Sequence, residues 1–268
     1  MVPAVTGRAD SPEPVRDYDE PVDAFADIFD DDYVYFTRSL LTDERSDRDV
    51  DLIWRMLGLT GGQAVLDVPC GSGRIANRLA ARGCRVVGVD ANERFLAEAR
   101  ADAGSRGVDV EYRRGDMREL DFVEQFDGAV NWFTSFGYFD DAGNKAMLRR
   151  LHRSLRPGGA LLVDMLSRES LVRGIPAGQQ QSVHVVEIGQ DLLVDRWALD
   201  VIEGRCVSDR IMVRDGRLRR TLFTFRLPTF PEARQWLTDA GFTSVAAHDE
   251  LGGPYSIAAR RMVIVARR

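Results

Sequence analysis

Strand-like apolar runs alternate with helix-like segments in the middle of this chain, between Gly61 and Met165. The expected strands are Ala64–Val68, Arg85–Val89, Val108–Tyr112, Phe126–Asn131 and Ala160–Met165. Helices are expected at Arg74–Arg82, Glu93–Ala103 and Lys145–Leu155, with Gly83 and Gly104 just past the ends of the first two. Strands that alternate with helices of about ten residues specify a parallel, doubly wound sheet. We therefore predict an α/β fold with a Rossmann-like sheet, in which Arg156-Pro157-Gly158-Gly159 breaks the chain before the fifth strand.

The pattern becomes purely β after Gln181. Strand-like segments are expected at His184–Ile188, Leu192–Ile202, Val207–Val213 and Arg219–Leu227, separated by turn signals of which Asp215-Gly216 is the strongest. The α/β pattern then resumes with a helix at Pro231–Ala240 and strands at Ser244–His248 and Met262–Ala266. These segments predict an antiparallel β insertion and a C-terminal antiparallel strand pair.

The same boundaries predict the domain organisation. The proline-rich residues 1–17 are expected to form a loose tail. Residues 18–60, with a helical apolar spacing at Arg48–Leu59, are expected to form a helical cap. Residues 61–181 and 228–268 form the predicted Rossmann-like domain, and residues 182–227 a predicted antiparallel β lid.

Composition excludes several classes of protein. The 268 residues are 44% hydrophobic and 29% charged, which is typical of a globular chain, and no run reaches the length of a membrane span. No apolar signal segment opens the chain, so a cytoplasmic location without a membrane partner is expected. A formal charge of −6 argues against a nucleic-acid partner. The cysteines and histidines lack metal-ligand spacing, so no metal is expected.

A glycine-rich turn, Gly71-Ser72-Gly73, lies between the first expected strand and its helix, and Asp90 ends the next strand. Glycines let backbone approach a ligand, and an acid at this position accepts hydrogen bonds from ribose hydroxyls. An adenosine-containing ligand is therefore predicted. Asp67, just before the turn, would repel a pyrophosphate and suits an ammonium group. The residues thus favour S-adenosylmethionine over a nicotinamide dinucleotide as cofactor.

Five segments in order resemble the motifs of class I S-adenosylmethionine-dependent methyltransferases. They are Val65-Leu66-Asp67-Val68-Pro69-Cys70-Gly71-Ser72-Gly73, Val86-Val87-Gly88-Val89-Asp90, Gly115-Asp116-Met117, Phe126-Asp127-Gly128-Ala129-Val130-Asn131 and Leu155-Arg156-Pro157-Gly158-Gly159-Ala160-Leu161-Leu162. The resemblance implies methionine-side contacts from Asp67, Gly71, Gly73, Asn131 and Trp132. It implies adenosine-side contacts from Asp90, Ala91, Asp116 and Met117.

The acceptor side of the predicted site is aromatic. The segment after the fourth strand, residues 131–139, lacks the Pro-Pro pair of methyltransferases that act on nucleic acids or proteins. A small-molecule acceptor is therefore expected, with Phe133 and Tyr138 as pocket residues and Phe136 and Phe139 in the core. The β insertion resembles the lid of glycine, amino-sugar and antibiotic N-methyltransferases. This resemblance implies that Tyr33 and Tyr35, with the segment that follows them, help to cover and bind the acceptor.

The predicted reaction is methyl transfer to an amine nitrogen of a bacterial specialised metabolite, as in antibiotic biosynthesis. A sulfonium methyl group is already electrophilic, so a neutral amine needs alignment more than activation. His184 and Tyr138 are the candidates for a general base. Methylation of oxygen or carbon on a small aromatic metabolite stays open, as does a non-methylating cyclase or binding protein on the same fold. The sequence is also compatible with a homo-oligomer.

Overall fold

The computed structural model describes residues 28–268. The predicted tail, and the part of the predicted cap up to residue 27, lie outside the described residues. The cap region contains helix α1 (Asp31–Thr37) and helix α2 (Asp43–Leu57). Helix α2 begins earlier than Arg48, where the apolar spacing begins, because the Thr42 hydroxyl accepts a hydrogen bond from the Arg45 amide as an N-cap.

The main sheet has seven strands in the order β10-β11-β5-β4-β1-β2-β3. Its strands are β1 (Ala64–Asp67), β2 (Arg85–Asp90), β3 (Val110–Arg114), β4 (Phe126–Asn131), β5 (Leu155–Leu166), β10 (Ser244–His248) and β11 (Arg261–Arg267). Strands β1 to β5 run parallel, whereas β11 pairs antiparallel with both β5 and β10. This topology confirms the predicted Rossmann-like sheet and its C-terminal antiparallel pair.

The helices around this sheet differ in detail from the predicted ones. They are α3 (Ala76–Ala81), α4 (Glu93–Arg106), α5 (Asp141–Ser154), α6 (Arg168–Gly174), which the sequence did not predict, and α7 (Phe230–Asp239). Helix α4 continues through Gly104 and ends at Gly107, which adopts a left-handed φ of 65°. A single glycine costs a helix only about 1 kcal/mol, so Gly104 does not end it.

Strand β5 contains the segment that was expected to break the chain. Its pairing with β4 shifts register between Phe126 and Gly128, opposite the segment that includes Pro157. Gly158 has a φ of 82°, which a glycine adopts without strain. The four residues from Arg156 to Gly159 therefore form an irregularity within the strand and not a break before it.

A second, four-stranded antiparallel sheet lies between β5 and α7 in the sequence. Its strands are β6 (Gln181–Ile188), β7 (Asp191–Asp200), β8 (Arg205–Arg214) and β9 (Arg217–Arg226), paired in sequence order. Two-residue turns join β6 to β7 and β8 to β9, the second at Asp215-Gly216. The predicted antiparallel insertion is therefore confirmed.

Apolar side chains cover both faces of the main sheet. One buried cluster joins the strands to α5 and α7 through Met147, Leu151 and Trp236, and another joins them to α2 and α3 through Ile53 and Leu79. Burying a large aliphatic side chain contributes roughly 1.5–3 kcal/mol, so these contacts hold the helices against the sheet. The loops at the carboxyl ends of the parallel strands then share one edge of the molecule. Within the part of the chain that is described, no helix is long and apolar enough to span a membrane.

Candidate active site

A cavity of about 790 Å³ opens at the carboxyl edge of the main sheet. Its wall is formed by the segments that follow β1, β2, β3 and β4 and by the α1–α2 region. The switch in strand order between β1 and β4 lies at this edge. Ligands bind at such switch points in open α/β sheets, and the volume is that of a small-molecule site.

Asp67 contributes a buried carboxylate to the cavity wall. It is only 1% exposed, and among residues 28–268 neither of its oxygens has a hydrogen-bond partner. Burial raises its pKa to about 7, although the Arg74 charge and the nearby Ala76 amide act to lower it. An unpartnered buried carboxylate is costly, so this position favours a ligand that brings a positive charge.

Asp90 connects the end of β2 to the glycine-rich turn. One of its carboxylate oxygens accepts a hydrogen bond from the Gly71 amide and the other from the Asn92 amide, each at 2.8 Å. Burial raises the pKa of Asp90, and these backbone amides oppose the rise. The Asp90 carboxylate thus lies in the cavity wall in a fixed orientation, with lone pairs left for a ligand.

The two glycines of the turn have different environments. Gly71 lies in the cavity wall with a φ of 52°, and a Cβ atom there would meet no atom within 4 Å. Gly73 is not part of the wall, and its Cβ would lie 2.3 Å from the Tyr112 hydroxyl. Gly71 therefore leaves room for a ligand, whereas Gly73 leaves room for the packed Tyr112 side chain, and its methionine-side contact stays a prediction.

The predicted adenosine-side residues Ala91, Asp116 and Met117 all lie in the wall. The Asp116 carboxylate is bound by Arg118, whose guanidinium donates to it at 2.7 and 3.0 Å and whose amide donates at 2.8 Å. Arg118, which the sequence did not indicate, lies 4.4 Å from the Phe139 ring centroid. This pairing fixes the Asp116 side chain at the edge of the cavity.

Asn131 and Trp132 follow one another but lie on different sides of the wall. Trp132 lines the cavity, as predicted. Asn131 is fully buried behind it, and its amide donates to the Val68 carbonyl at 2.8 Å. The Asn131 side chain therefore points away from the cavity and supports the segment after β1. Its predicted contact with the cofactor gains no support from this position.

The acceptor side of the cavity is aromatic, as the sequence predicted. Tyr33, Phe133 and Tyr138 lie in the wall together with Phe29 and Phe139. The Phe29 ring lies edge-on to Tyr33 at 5.0 Å and to Tyr138 at 5.4 Å. Burial raises the pKa of both tyrosines, so their hydroxyls stay protonated at neutral pH. Phe29 was not predicted as a pocket residue, because the only sequence signal for it is the crowding of aromatic residues around it.

Tyr35 lies outside the cavity wall. Its hydroxyl donates to the Asp191 carboxylate at 2.8 Å, and the Arg214 guanidinium lies 4.3 Å from its ring centroid. Both partners belong to the second sheet, so Tyr35 connects α1 to that sheet. This position offers no support for the predicted contact of Tyr35 with the acceptor, which stays a prediction.

His184 also lies away from the cavity. It is exposed on β6, its ring centroid is 4.4 Å from that of Trp197, and its Nε2 atom is 3.2 Å from the Ser182 hydroxyl. In the described part of the wall there is no histidine. A general base must reach the proton that it removes, so the geometry does not support the base role expected of His184.

The second sheet packs against the far side of α1. Phe36 of α1 contacts Leu193 and Met212 of the sheet, whereas Tyr33 of the same helix faces the cavity. Among residues 28–268, none from β6–β9 lines the cavity. The lid role of this sheet stays a prediction: the sheet packs against α1, and its Phe225 ring also lies 6.4 Å from the ring of the cavity residue Tyr138. The same range holds no cluster of side chains placed to bind a metal ion.

We expect His184→Ala to change kcat by less than about twofold. The imidazole is exposed and outside the wall, so its removal leaves the reacting groups in place, whereas loss of a general base costs about a hundredfold or more. Steady-state rates over pH 6–9 measure this effect. A hundredfold loss of kcat in this variant would restore His184 as the base.

Comparison with known proteins agrees with this site. A family profile for a methyltransferase domain matches residues 65–159. The cypemycin N-terminal methyltransferase of a Streptomyces species is 30% identical over 211 residues, which cover 77% of this chain and 84% of that protein.

Solved structures share the fold. A methyltransferase dependent on S-adenosylmethionine from Clostridium acetobutylicum has a TM-score of 0.72 at 17% identity, with 91% of this chain and 98% of that chain covered. An amino pentose methyltransferase from Micromonospora echinaspora, bound to S-adenosylmethionine, has a TM-score of 0.65 at 20% identity, with 90% and 98% covered. The motifs, the sheet topology and these similarities lead to one conclusion: the chain belongs to the S-adenosylmethionine-dependent methyltransferases.

Proposed function

We propose that this enzyme methylates the nitrogen of a small-molecule amine in bacterial specialised metabolism. The observation that carries the proposal is the aromatic part of the cavity wall, in which the Tyr33 and Tyr138 phenols lie on either side of the Phe29 ring. The names of two similar proteins support it, since one is an N-terminal methyltransferase for cypemycin and the other an amino pentose methyltransferase involved in calicheamicin biosynthesis.

The residues of the cavity fit S-adenosylmethionine. The unpartnered Asp67 carboxylate suits the ammonium group, and Gly71 leaves open space beside it. Asp90 is placed to accept hydrogen bonds from ribose hydroxyls, and Ala91, Asp116 and Met117 to border the adenine. When bound, this cofactor supplies an electrophilic methyl group on a sulfonium sulfur.

The aromatic residues of the wall can align a nucleophile, but their phenols are not suited to deprotonate one at neutral pH. The Tyr33 and Tyr138 hydroxyls are protonated at neutral pH, and neither histidine nor lysine is present in the described wall. Asp116 is already bound to Arg118. An amine in its free-base form has a lone pair and needs no base, whereas a hydroxyl acceptor does. Because the phenols of the wall cannot act as a base at neutral pH, nitrogen is favoured over oxygen as the methyl acceptor.

The main contribution of the protein to the reaction is then to position the amine relative to the methyl group. The Phe29 ring contacts both the Tyr33 ring and the Tyr138 ring, so the three rings form a continuous apolar surface. Such a surface excludes water and restricts the orientation of a bound amine. Holding a nucleophile at roughly 3–3.5 Å from the reacting carbon can supply several kcal/mol of the barrier.

Methyl transfer to oxygen is the second candidate, and one observation favours it. The pKa of Asp67 is raised to about 7, which is a suitable value for a general base. A base role would require Asp67 to contact the acceptor and not the cofactor ammonium. The two roles predict different pH profiles.

We expect the pH dependence of kcat/KM to follow the acceptor and not the enzyme. Across a series of amines of different basicity, the inflection in kcat/KM should move with the pKa of each ammonium group, because the free amine is the reactive form. Tyr138→Phe should lower the rate without moving that inflection, since the phenol is neutral throughout. Initial rates and mass spectrometry of the products test both points.

Each amine should be paired with the analogue that carries a hydroxyl in its place. A product methylated on oxygen or carbon would contradict the proposal. So would an inflection near pH 7 that stays fixed across the amine series at saturating S-adenosylmethionine, because that result would assign the titration to Asp67 in the chemical step.

A further inference from the structure

Three aromatic rings of the cavity wall meet at Phe29. The planes of the Tyr33 and Tyr138 rings are each inclined by 86° to the plane of the Phe29 ring, at centroid distances of 5.0 and 5.4 Å. All three residues line the cavity. Rings that meet at such steep angles enclose a corner, which we call the aromatic corner (Phe29, Tyr33 and Tyr138). The face of an aromatic ring carries negative partial charge, so a corner of this kind is suited to a cation.

The aromatic corner lies beside the part of the wall that is assigned to the cofactor. Burial raises the pKa of the Tyr33 hydroxyl, and the charges of Arg74 and Asp90, which both line the cavity, also act on it. In the proposed binding mode Asp90 binds the ribose and Asp67 binds the ammonium group. The sulfur atom of the cofactor joins these two parts of the molecule. The corner therefore borders the region in which the methyl group leaves the sulfur.

Arginine side chains lie over other rings of the wall. The guanidinium carbon of Arg74 is 5.7 Å from the centroid of the Phe133 ring, and that of Arg118 is 4.4 Å from the centroid of the Phe139 ring. Within residues 28–268, neither an arginine nor a lysine lies over the ring of Phe29 or of Tyr33. These two rings of the corner are therefore open to the cation of a ligand.

The charges around the aromatic corner do not oppose a positively charged ligand. Arg210 of the second sheet acts on the pKa of both tyrosines, which burial raises. Its guanidinium donates to the buried Asp195 carboxylate at 2.6 and 3.0 Å and lies 5.0 Å from the centroid of the Phe223 ring. Arg210 is therefore balanced by its own partner, whereas the cavity wall contains the carboxylates of Asp67 and Asp90.

Methyl transfer to an amine moves positive charge from sulfur to nitrogen. The nitrogen lone pair forms the new N–C bond, and the electrons of the broken S–C bond remain on the sulfur. The sulfur thus becomes a neutral thioether, and the nitrogen becomes an ammonium group that carries one more methyl group. A protein accelerates such a step when it binds the charged nitrogen more strongly than the neutral amine.

We propose that the aromatic corner is a cation-binding site for the alkylammonium group that forms on the acceptor. The three rings take up the charge as it arrives on the nitrogen, and they discriminate between charged and neutral ligands of the same shape. The inference rests on the proposed amine acceptor, and it adds the form of the acceptor that the wall binds most strongly.

The test compares choline with 3,3-dimethylbutan-1-ol, its uncharged analogue in which carbon replaces the nitrogen. Both probes are titrated by ligand-detected NMR into protein that is saturated with S-adenosylhomocysteine. We expect wild-type protein to bind choline about fivefold more tightly than the analogue, or better, because only the charged probe gains a cation–π contact. Tyr33→Leu should lower this ratio to about twofold or less, whereas Tyr33→Phe, which retains the ring, should preserve it.

Tyr35→Leu, at a position of the same helix outside the cavity wall, is the matched control and should have the wild-type ratio. Thermal unfolding of each variant identifies loss of folded protein, and the ratio of the two affinities is independent of that loss. Equal binding of the two probes by wild type, or an unchanged ratio in Tyr33→Leu, would overturn the inference and leave the proposed function in place. A product methylated on oxygen or carbon would overturn both, because no positive charge would then arise on a nitrogen.

Discussion

Asp67→Asn is expected to stabilise the cofactor-free protein above pH 7 and to weaken cofactor binding about a hundredfold or more. Both effects follow from one buried carboxylate that has no partner among residues 28–268. The amide removes an uncompensated charge from the free protein. It also removes the partner of the cofactor's ammonium group, and breaking such a buried pair costs about 3–5 kcal/mol.

The pKa of Asp67 determines whether the folded protein becomes more or less stable as the pH rises. The pKa of Asp67 is about 7 in the folded protein against 3.8 for an unperturbed carboxyl group, so the folded state binds more protons between these values. The contribution to stability is fully present below pH 3.8 and is lost as the pH rises through about 7. The difference between these two pKa values corresponds to roughly 4 kcal/mol of unfolding free energy.

Cofactor affinity should depend on pH in the opposite sense. In the proposed binding mode the ammonium group pairs with ionised Asp67, so the affinity for S-adenosylhomocysteine should rise by up to about tenfold per pH unit toward pH 7 and then level off. In Asp67→Asn both pH dependences should disappear.

Denaturant unfolding of the cofactor-free protein and calorimetric titration over pH 5–8 measure these effects. Asp121→Asn, at an exposed carboxylate outside the cavity wall, serves as the control. A cofactor-free Asp67→Asn protein that is less stable than wild type at pH 8 would show that the carboxylate has a structural partner. Unchanged affinity would remove Asp67 from the cofactor site.

The sequence predicted the sheet well because its strands are defined by local patterns. Apolar runs such as Ala64–Asp67 lie between glycine turns, and their alternation with helices allows few topologies. Helix and strand ends were less accurate. Gly104 and Gly107 are equally plausible helix ends in the sequence, and only the left-handed conformation of Gly107 distinguishes them.

The directions in which side chains point explain most of the differences between the predicted site residues and those that line the cavity. Successive residues in a helix are rotated by about 100°, so Tyr33 and Tyr35 point in nearly opposite directions and cannot both face one cavity. Successive residues at a strand end likewise face opposite sides, which separates Trp132 from Asn131. These two geometric rules could have been applied to the sequence.

Other features of the site depend on contacts between distant parts of the chain. The partners Asp116 and Arg118 are close in sequence, but the Arg45 guanidinium meets the Phe133 ring only because α2 packs beside the loop after β4. His184 lies on β6, and nothing local in the sequence indicates that this strand contributes no residue to the described cavity wall. Such arrangements are set by tertiary packing and not by a motif.

Asp90→Ala is expected to weaken cofactor binding at least a hundredfold. We propose that the Asp90 side chain accepts hydrogen bonds from two ribose hydroxyls, and a hydrogen bond to a charged group contributes about 1.5–3 kcal/mol. The same change removes the partner of the Gly71 amide, which now lies 2.8 Å from the carboxylate. The loss therefore combines a ligand contact with a looser glycine turn.

A ligand without one ribose hydroxyl separates these two contributions. Wild-type protein should bind 2′-deoxy-S-adenosylhomocysteine about tenfold more weakly than S-adenosylhomocysteine, since one hydrogen bond to the Asp90 carboxylate is missing. Asp90→Ala should bind both ligands equally, because the acceptor for that hydroxyl is gone. Asp90→Asn, which retains one carboxamide oxygen as an acceptor, should show intermediate discrimination. If Asp90→Ala still prefers the ribose ligand tenfold, another residue binds the hydroxyl, and Asp90 acts only by holding the Gly71 turn.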